Sequence, residues 1–322
     1  MDKRLAAAIT AWALLLAGPA SCWAQAFPSK PIRSIVTFTG VGEALCRMVA
    51  QKMSENIGQP VTLESQAAAG GAVGAETVMK APPDGYTILA ANPGTHIMRQ
   101  YLAKNSTFDP IKDFTPITLA WDTIAVVGVT PSLPVHNFAE LLDYAKRNPG
   151  KLSYGSSGVG STYHLAGEAL KQAAGIDMVH VPYKGAMQAL QDLYAGQLEV
   201  SMLTLGTALP LQAAGKIRML GLLQGARYRG APDLPTVGES VPGFEQPGSW
   251  YALIGPAALP QPVVQRLYQA LVAGLKTKEV RDWLDKNMHE GGGSTPEQFA
   301  AEYRRSFEIY TRAIRLAGLK AE

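Results

Sequence analysis

The chain has 322 residues, of which 47% are hydrophobic and 17% are charged, and its formal net charge is +3 at pH 7. This length and apolar content are typical of a globular protein with room for two domains, and they exclude the disordered and fibrous classes. So small a positive charge gives no reason to expect a nucleic acid partner.

The first 26 residues have the pattern of a secretory signal peptide. Lys3 and Arg4 form a basic start, an apolar run extends from Leu5 to Ala17, and small residues follow. The apolar run is too short to span a bilayer comfortably. We therefore exclude residues 1–26 from the fold and predict an exported protein.

The two cysteines bear on the N-terminus and on redox chemistry. Lipid attachment at Cys22 is an alternative to a cleaved signal peptide, but Pro19 stands where such signals usually carry an aliphatic residue. Removal of the signal leaves Cys46 alone, so no internal disulfide and no cysteine metal cluster are expected. We expect Cys46 to be a buried, apolar residue on a helix.

Short β-branched runs alternate with helix-length periodic segments along the rest of the chain. The predicted strands are Ile32–Phe38, Val61–Ser65, Tyr86–Ala91, Ile124–Thr130, Leu152–Ser156, Met178–Tyr183 and Arg218–Leu223. The predicted helices are Glu43–Asn56, Phe138–Arg147, Thr162–Ala174, Ala186–Ala195, Pro262–Leu275 and Pro296–Leu316. This alternation predicts an α/β protein with mostly parallel sheets.

The path of the chain predicts two lobes. The strand Ile124–Thr130 and the proline-rich residues after it mark a crossing into a second unit, and residues 232–242 mark the return. We expect residues 27–126 plus 236–322 in lobe 1 and residues 127–235 in lobe 2. A ligand is expected in the cleft, because clefts between domains and the carboxyl ends of parallel strands favour ligand binding.

The sequence SYGSSGVGSTYHLAGEAL, from Ser153 to Leu170, predicts a glycine-permitted turn that leads into a helix capped by Ser161 or Thr162. Unpaired N–H groups at a helix start stabilise an anion, and side-chain hydroxyls add donors. His164 is either a further donor or a structural histidine bonded to the backbone. The candidate carboxylate ligands in this turn are Ser156, Ser157, Gly158, Gly160, Ser161 and Thr162.

Three sharper motifs are excluded at the same turn. A nucleotide P-loop needs lysine where Ser161 stands, a nucleophile elbow needs glycine at Val159, and a dinucleotide fingerprint needs glycine at Tyr163. No histidine pair has metal-ligand spacing, so neither a metal nor a cofactor is expected. An exported serine hydrolase that uses Ser157 or Ser161 with His164 is the enzyme alternative, although no third orienting group is evident.

Eight segments along the mature chain carry a resemblance. They are FPSKPIRSIVTF (27–38), AAAGGAVGAETVMKAPPDGYTIL (67–89), DPIKDFTPIT (109–118), YGSSGVGSTYHLAGEAL (154–170), VHVPYKGAMQALQDLYAGQ (179–197), ALPLQAAGKIR (208–218), APDLPTVGES (231–240) and SWYALIGPA (249–257). In this order and spacing they resemble the Bug receptors, the TctC-type substrate-binding proteins of tripartite tricarboxylate transporters.

This resemblance implies a periplasmic-binding-protein-like fold of type II (Venus-flytrap), with two mostly parallel-sheet domains around a cleft. It also implies a monomeric, non-enzymatic receptor for a small carboxylate, which serves membrane transporter subunits or a sensor kinase. In the family the carboxylate lies between the first strand-to-helix loop and a Ser/Gly turn, which Ser156–Thr162 match. A purely interacting protein that binds no ligand is the remaining alternative.

Two segments depart from the family pattern. The first loop, TFTGVGEALCR (37–47), is shorter than is common and lacks the family's aspartate, and Thr204 stands where many members carry an acid. Glu43 either replaces the missing acid or is a first-turn carboxylate stabilised by the helix dipole. An unpaired buried ammonium is unfavourable, so we predict rejection of α-amino acids and acceptance of acids with an apolar or aromatic remainder. The expected ligand neighbours in the first loop are Phe38, Thr39, Gly40 and Val41.

Three other residues are candidate ligand contacts. Asn92 and Thr95 lie in AANPGTH at a strand end, where they either contact the ligand or form a turn and N-cap pair. Tyr183, in PYKG, follows the strand from Met178 and completes the candidate set with Thr204.

Overall fold

The computed structural model describes residues 27–102, 107–246 and 248–319. The predicted signal peptide and Cys22 lie outside the described residues. The strands are β1 (Ile32–Val36), β2 (Val61–Ser65), β3 (Thr87–Ala91), β4 (Phe114–Thr123), β5 (Ala125–Val129), β6 (Leu152–Ser156), β7 (Met178–Pro182), β8 (Val200–Thr204), β9 (Arg218–Leu222), β10 (Trp250–Pro256) and β11 (His289–Gly291).

Helices cover both sheets. They are α1 (Val41–Ile57), α2 (Ala72–Met79), α3 (Arg99–Leu102), α4 (Phe138–Arg147), α5 (Thr162–Ala174), α6 (Ala186–Tyr194), α7 (Leu205–Ala213), α8 (Val237–Ser240), α9 (Gln261–Leu275), α10 (Lys278–Lys286) and α11 (Pro296–Leu316). Among the described residues, no helix is both long enough and apolar enough to cross a membrane.

The strands form a six-stranded sheet in the order β11-β4-β10-β3-β1-β2 and a five-stranded sheet in the order β7-β6-β8-β5-β9. The strands β1 to β4 share one direction, while β10 runs antiparallel between β3 and β4. In the second sheet β6 to β9 share one direction, and β5 runs antiparallel between β8 and β9. Each sheet is therefore mixed, because the strands that cross between the sheets enter them in the opposite direction.

The seven predicted strands are all present, but β4, β8, β10 and β11 were not predicted. Pro116 lies inside β4, where proline removes a hydrogen-bond donor and argues against a strand. The β4–β10 pairing has a register shift between Leu253 and Ile254, next to the partner of Pro116, and such an irregularity accommodates proline. The local sequence was therefore misleading at this position.

Helix α1 follows the predicted apolar pattern. It buries Leu45, Cys46, Val49 and Met53 against the first sheet's core, and Gly58, at φ 79°, ends it in the left-handed conformation. Burial raises the pKa of the Cys46 thiol, and the charge of nearby Glu43 adds to the shift. The prediction that Cys46 is a buried helical residue is confirmed.

Helix α5 packs against the cores of both sheets. Its Leu165 is fully buried and packs in the cluster formed by the first sheet with α11, which includes Trp250 and Tyr310. The hydroxyls of Thr162 and Tyr310 lie 3.2 Å apart, and Tyr310 donates to the carbonyl of Gly248 at 2.6 Å. The first turn of α5 is thus anchored to the other half of the molecule.

Candidate functional site

Two adjoining cavities are lined by residues from both sheets, and they share Thr123, Thr204 and Tyr251. The first, which we call the turn cavity, has a volume of about 340 Å³. The second, which we call the distal cavity, has a volume of about 360 Å³. Clefts of this size, partly apolar and with a few convergent polar groups, are typical of small-ligand sites.

The Ser156–Thr162 turn opens into the turn cavity through Ser157, Ser161 and Thr162. Gly158 (φ 127°) and Gly160 (φ 75°) give the turn its shape, which other residues rarely adopt. Ser161 is the N-cap of α5, and its Oγ accepts a hydrogen bond from the His164 N–H at 3.2 Å. The predicted turn and cap are confirmed.

The start of α5 has donors available for an anion. Within the described part of the chain, the N–H groups of Thr162 and Tyr163 have no intramolecular acceptor. Both residues line the turn cavity, where the positive end of the helix dipole lies. The side chains of Ser157 and Thr162 bring hydroxyls to the same wall. This arrangement can bind a carboxylate without a cationic side chain.

Two stacked histidines support the turn from behind. Ser156, which is buried, places its Oγ 2.7 Å from His180 Nε2, and the His180 ring stacks on His164 at 3.9 Å. Burial lowers the pKa of His180 to about 4, and the adjacent His164 adds to the shift. Burial likewise lowers the pKa of His164, whose Nδ1 accepts from the Gly160 N–H at 3.0 Å. These neutral rings hold the turn, and no local motif pointed to His180.

The same contacts bear on the hydrolase alternative. Among the described residues, neither Ser157 nor Ser161 has a hydrogen bond to the His164 imidazole. The imidazole Nδ1 accepts from the Gly160 N–H, which is the backbone contact expected under the structural alternative for His164.

The first loop is arranged differently from the expectation. Phe38 is buried, with its ring edge-on to Tyr251 at 5.0 Å, while Thr39 and Gly40 are exposed and line neither cavity. Val41 lines the distal cavity. The carboxylate of Glu43 accepts from Arg47 at 3.0 Å and lines neither cavity, as expected for a first-turn helix residue.

Of the remaining candidate residues, some line a cavity and others lie behind its wall. Asn92 lines the turn cavity, and its Oδ1 accepts from the Thr95 N–H at 3.0 Å. The Thr95 hydroxyl is turned toward Thr37, 2.8 Å away, so Thr95 lies behind Asn92. Thr204 lines both cavities, whereas Tyr183 donates to Asp192 at 2.7 Å and lines neither.

Sequence reasoning missed the residues that distant elements bring to the cavities. They lie in or directly beside β4, β10 and α10, which are far apart in the sequence, so no local motif unites them. They are Trp121, Thr123, Ser249, Trp283, Lys286 and Asn287. Trp250 and Tyr251 also line the cavities, although the sequence favoured core packing over a pocket wall for both.

Asp122, beside Thr123 at the end of β4, is a partly buried acid. Burial raises the pKa of its carboxyl to about 7, and the charge of Glu290 adds to the shift. The N–H of Thr123 donates to it at 2.8 Å, which favours the charged form and limits the shift. Asp122 therefore binds a proton more tightly in the folded than in the unfolded state.

Asp122→Asn is expected to change how stability depends on pH. Between about pH 4 and pH 7 the folded wild type retains a proton that the unfolded chain releases, so its stability falls as the pH rises. The variant lacks this loss, so its stability relative to the wild type should rise by roughly 3 kcal/mol over this range. Urea unfolding at both ends of the range measures the difference. An equal difference at both ends would contradict it, and exposed Asp143→Asn is the control.

The chain is similar to known proteins over most of its length. The model of the family described as the tripartite tricarboxylate transporter family receptor (TctC) matches residues 45–302. A UPF0065 protein of Bordetella pertussis is 37% identical over 262 residues, which cover 80% of this chain and 80% of that protein.

Two solved structures are similar over nearly the whole chain. One, described as a periplasmic transporter, is 38% identical with a TM-score of 0.72 and covers 92% of this chain and 100% of its own. The other, an R. palustris protein solved with adipate, is 31% identical with a TM-score of 0.73 and has the same coverage of both chains.

Proposed function

Because the chain belongs to the tripartite tricarboxylate transporter receptor family, we propose that it is a periplasmic solute-binding receptor for a small carboxylate. The observation that carries this proposal is the Ser156–Thr162 turn, which presents hydroxyls and a helix start to the turn cavity. The adipate bound by the R. palustris neighbour has the same functional group. The family resemblance and the two-lobed α/β fold predicted from the sequence are confirmed.

Export and partners are parts of the same proposal. A neighbour 38% identical to this chain is described as periplasmic, which agrees with cleavage of residues 1–26 as a signal peptide. The receptor would pass its ligand to membrane transporter subunits or to a sensor. Lobe 1 would comprise residues 27–126 plus 236–322, and lobe 2 residues 127–235.

We assign direct ligand contact to Asn92, Ser157, Ser161, Thr162 and Thr204, which all line the turn cavity. Ser156, Thr95 and His164 would act from behind by holding these groups in place. Among the described residues that line either cavity, none is a carboxylate. An α-ammonium group would therefore lie there without an opposite charge, which supports the rejection of amino acids.

A thermal-shift panel of mono- and dicarboxylates, with α-amino acids in the same panel, tests the proposal. A ligand at 100 times its dissociation constant stabilises the folded state by about 2.7 kcal/mol, so at least one acid should raise the midpoint by several degrees. Amino acids of matched chain length should not. Ser157→Ala should reduce the shift, whereas Ser240→Ala, at an exposed serine, should not. A folded protein that responds to no acid would favour the non-binding alternative.

A further inference from the structure

The distal cavity has no role in the carboxylate site described above, yet it adjoins that site. Thr123, Thr204 and Tyr251 line both cavities, so they form the boundary that a ligand held at the α5 turn passes when it extends into the distal cavity. The distal cavity has about the same volume as the turn cavity, about 360 Å³ against 340 Å³. A ligand that is only a short acid would leave this space to water.

Flat rings form much of the wall of the distal cavity. The Tyr251 ring stacks on Trp121, with centroids 5.1 Å apart, and Trp283 stacks on His289 at 5.6 Å with nearly parallel planes. These stacks hold the rings in fixed orientations, and Val41 adds apolar surface beside them. Such a wall stabilises an apolar spacer through burial of hydrocarbon surface.

One cation stands at this cavity. Lys286, the last residue of α10, lines it, and within the described residues no carboxylate forms an ion pair with Lys286. Several other charged residues of α10 are paired: Lys278 with Asp282, Asp285 with Arg229, and Glu279 with Lys52. Thr207 and Asn287 add polar groups near Lys286. The distal cavity thus combines an apolar wall with an unpaired positive charge and no lining acid.

We propose that the distal cavity is a second subsite of the receptor, in which Lys286 pairs with a distal carboxylate and the rings of Tyr251 and Trp283 contact an apolar spacer. The inference rests on the proposed function, since the first carboxylate is assigned to the α5 turn. Lys286 is then a specificity-determining residue. It favours elongated dicarboxylates over monocarboxylates of the same length.

This proposal is tested with dicarboxylates and monocarboxylates of the same chain length, and with Lys278 as the control for Lys286. Isothermal titration is performed with the dicarboxylates from succinate to suberate and with the corresponding monocarboxylates, such as hexanoate for adipate. Lys286→Gln should weaken the best dicarboxylate by roughly three- to fivefold, as for a partly exposed ion pair, and leave its monocarboxylate unchanged. Lys286→Arg should retain the preference. Lys278→Gln removes the same charge from the same helix and should leave both acids unaffected.

The outcomes separate the two proposals. If acids bind but Lys286→Gln weakens mono- and dicarboxylates equally, or weakens neither, the second subsite is wrong and the receptor function stands. If Lys278→Gln has the same effect as Lys286→Gln, the effect is one of overall charge and the subsite is again wrong. If no acid of either series binds the wild type, the proposed function fails and the subsite with it. Added salt should reduce the dicarboxylate preference of the wild type, because it screens partly exposed charges.

Discussion

An acid ligand is expected to bind roughly 100-fold more tightly than its uncharged amide, because each hydrogen bond to a charged group contributes about 1.5–3 kcal/mol. The α5 turn offers the N–H groups of Thr162 and Tyr163, and the hydroxyls of Ser157 and Thr162 lie on the same wall. A neutral amide gains less from these donors and from the helix dipole. Competitive calorimetry with the best acid from the thermal-shift panel and its amide measures the ratio.

Two serine variants test whether the preference for the acid over its amide arises at the α5 turn. Ser157→Ala removes one donor and should narrow the gap between acid and amide, whereas Ser240→Ala should leave it unchanged. Affinities of acid and amide within twofold of each other in the wild type would mean that the turn does not bind a charged group. In that case the helix start is only structural.

Leu165→Ala is expected to destabilise the protein by about 2–5 kcal/mol, as for a fully buried leucine, and also to weaken ligand binding. Leu165 lies in the first turn of α5 but packs among residues of the first sheet and α11. Its removal leaves a cavity at the point where α5 is anchored to the other half of the molecule. The orientation of the turn that we propose binds the carboxylate would then be less restricted.

Leu170→Ala is the matched control for this prediction. Leu170 is equally buried and belongs to the same helix, but it packs within the core of the second sheet. Both variants should lose stability in urea unfolding. Leu165→Ala should reduce ligand affinity more than Leu170→Ala does. Equal effects of the two variants on ligand affinity would show that Leu165 stabilises the fold without positioning the turn.

Small-angle scattering on the same pair addresses motion between the lobes. We expect ligand to reduce the radius of gyration of the wild type through closure about the crossings near residues 124–131 and 232–242. Without the Leu165 anchor, the ligand-free variant should have a larger radius than the wild type. Leu170→Ala should not differ from the wild type in this respect.

Much of the fold followed from local sequence. Strands such as Ile32–Val36 and Leu152–Ser156 are short apolar runs between helix-length periodic segments, and period and length suffice to distinguish them. The α5 turn was also predicted, since Gly158, Gly160 and Ser161 satisfy backbone requirements that lie within a few residues. The crossing at Ile124–Thr130 and the return at residues 232–242 predicted two lobes, and the family resemblance added the type of periplasmic binding fold.

Tertiary structure alone decided which residues share the cleft. Trp121, Tyr251 and Lys286 come from three separate elements, and they line one cavity because β10 lies beside β4 and α10 leads into β11 at the edge of that sheet. The same is true of His180, which reaches Ser156 because β7 pairs with β6. Local sequence specifies backbone conformation within a few residues. Contacts between distant elements depend on sheet order and on core packing, as with Leu165 in the core of the other sheet.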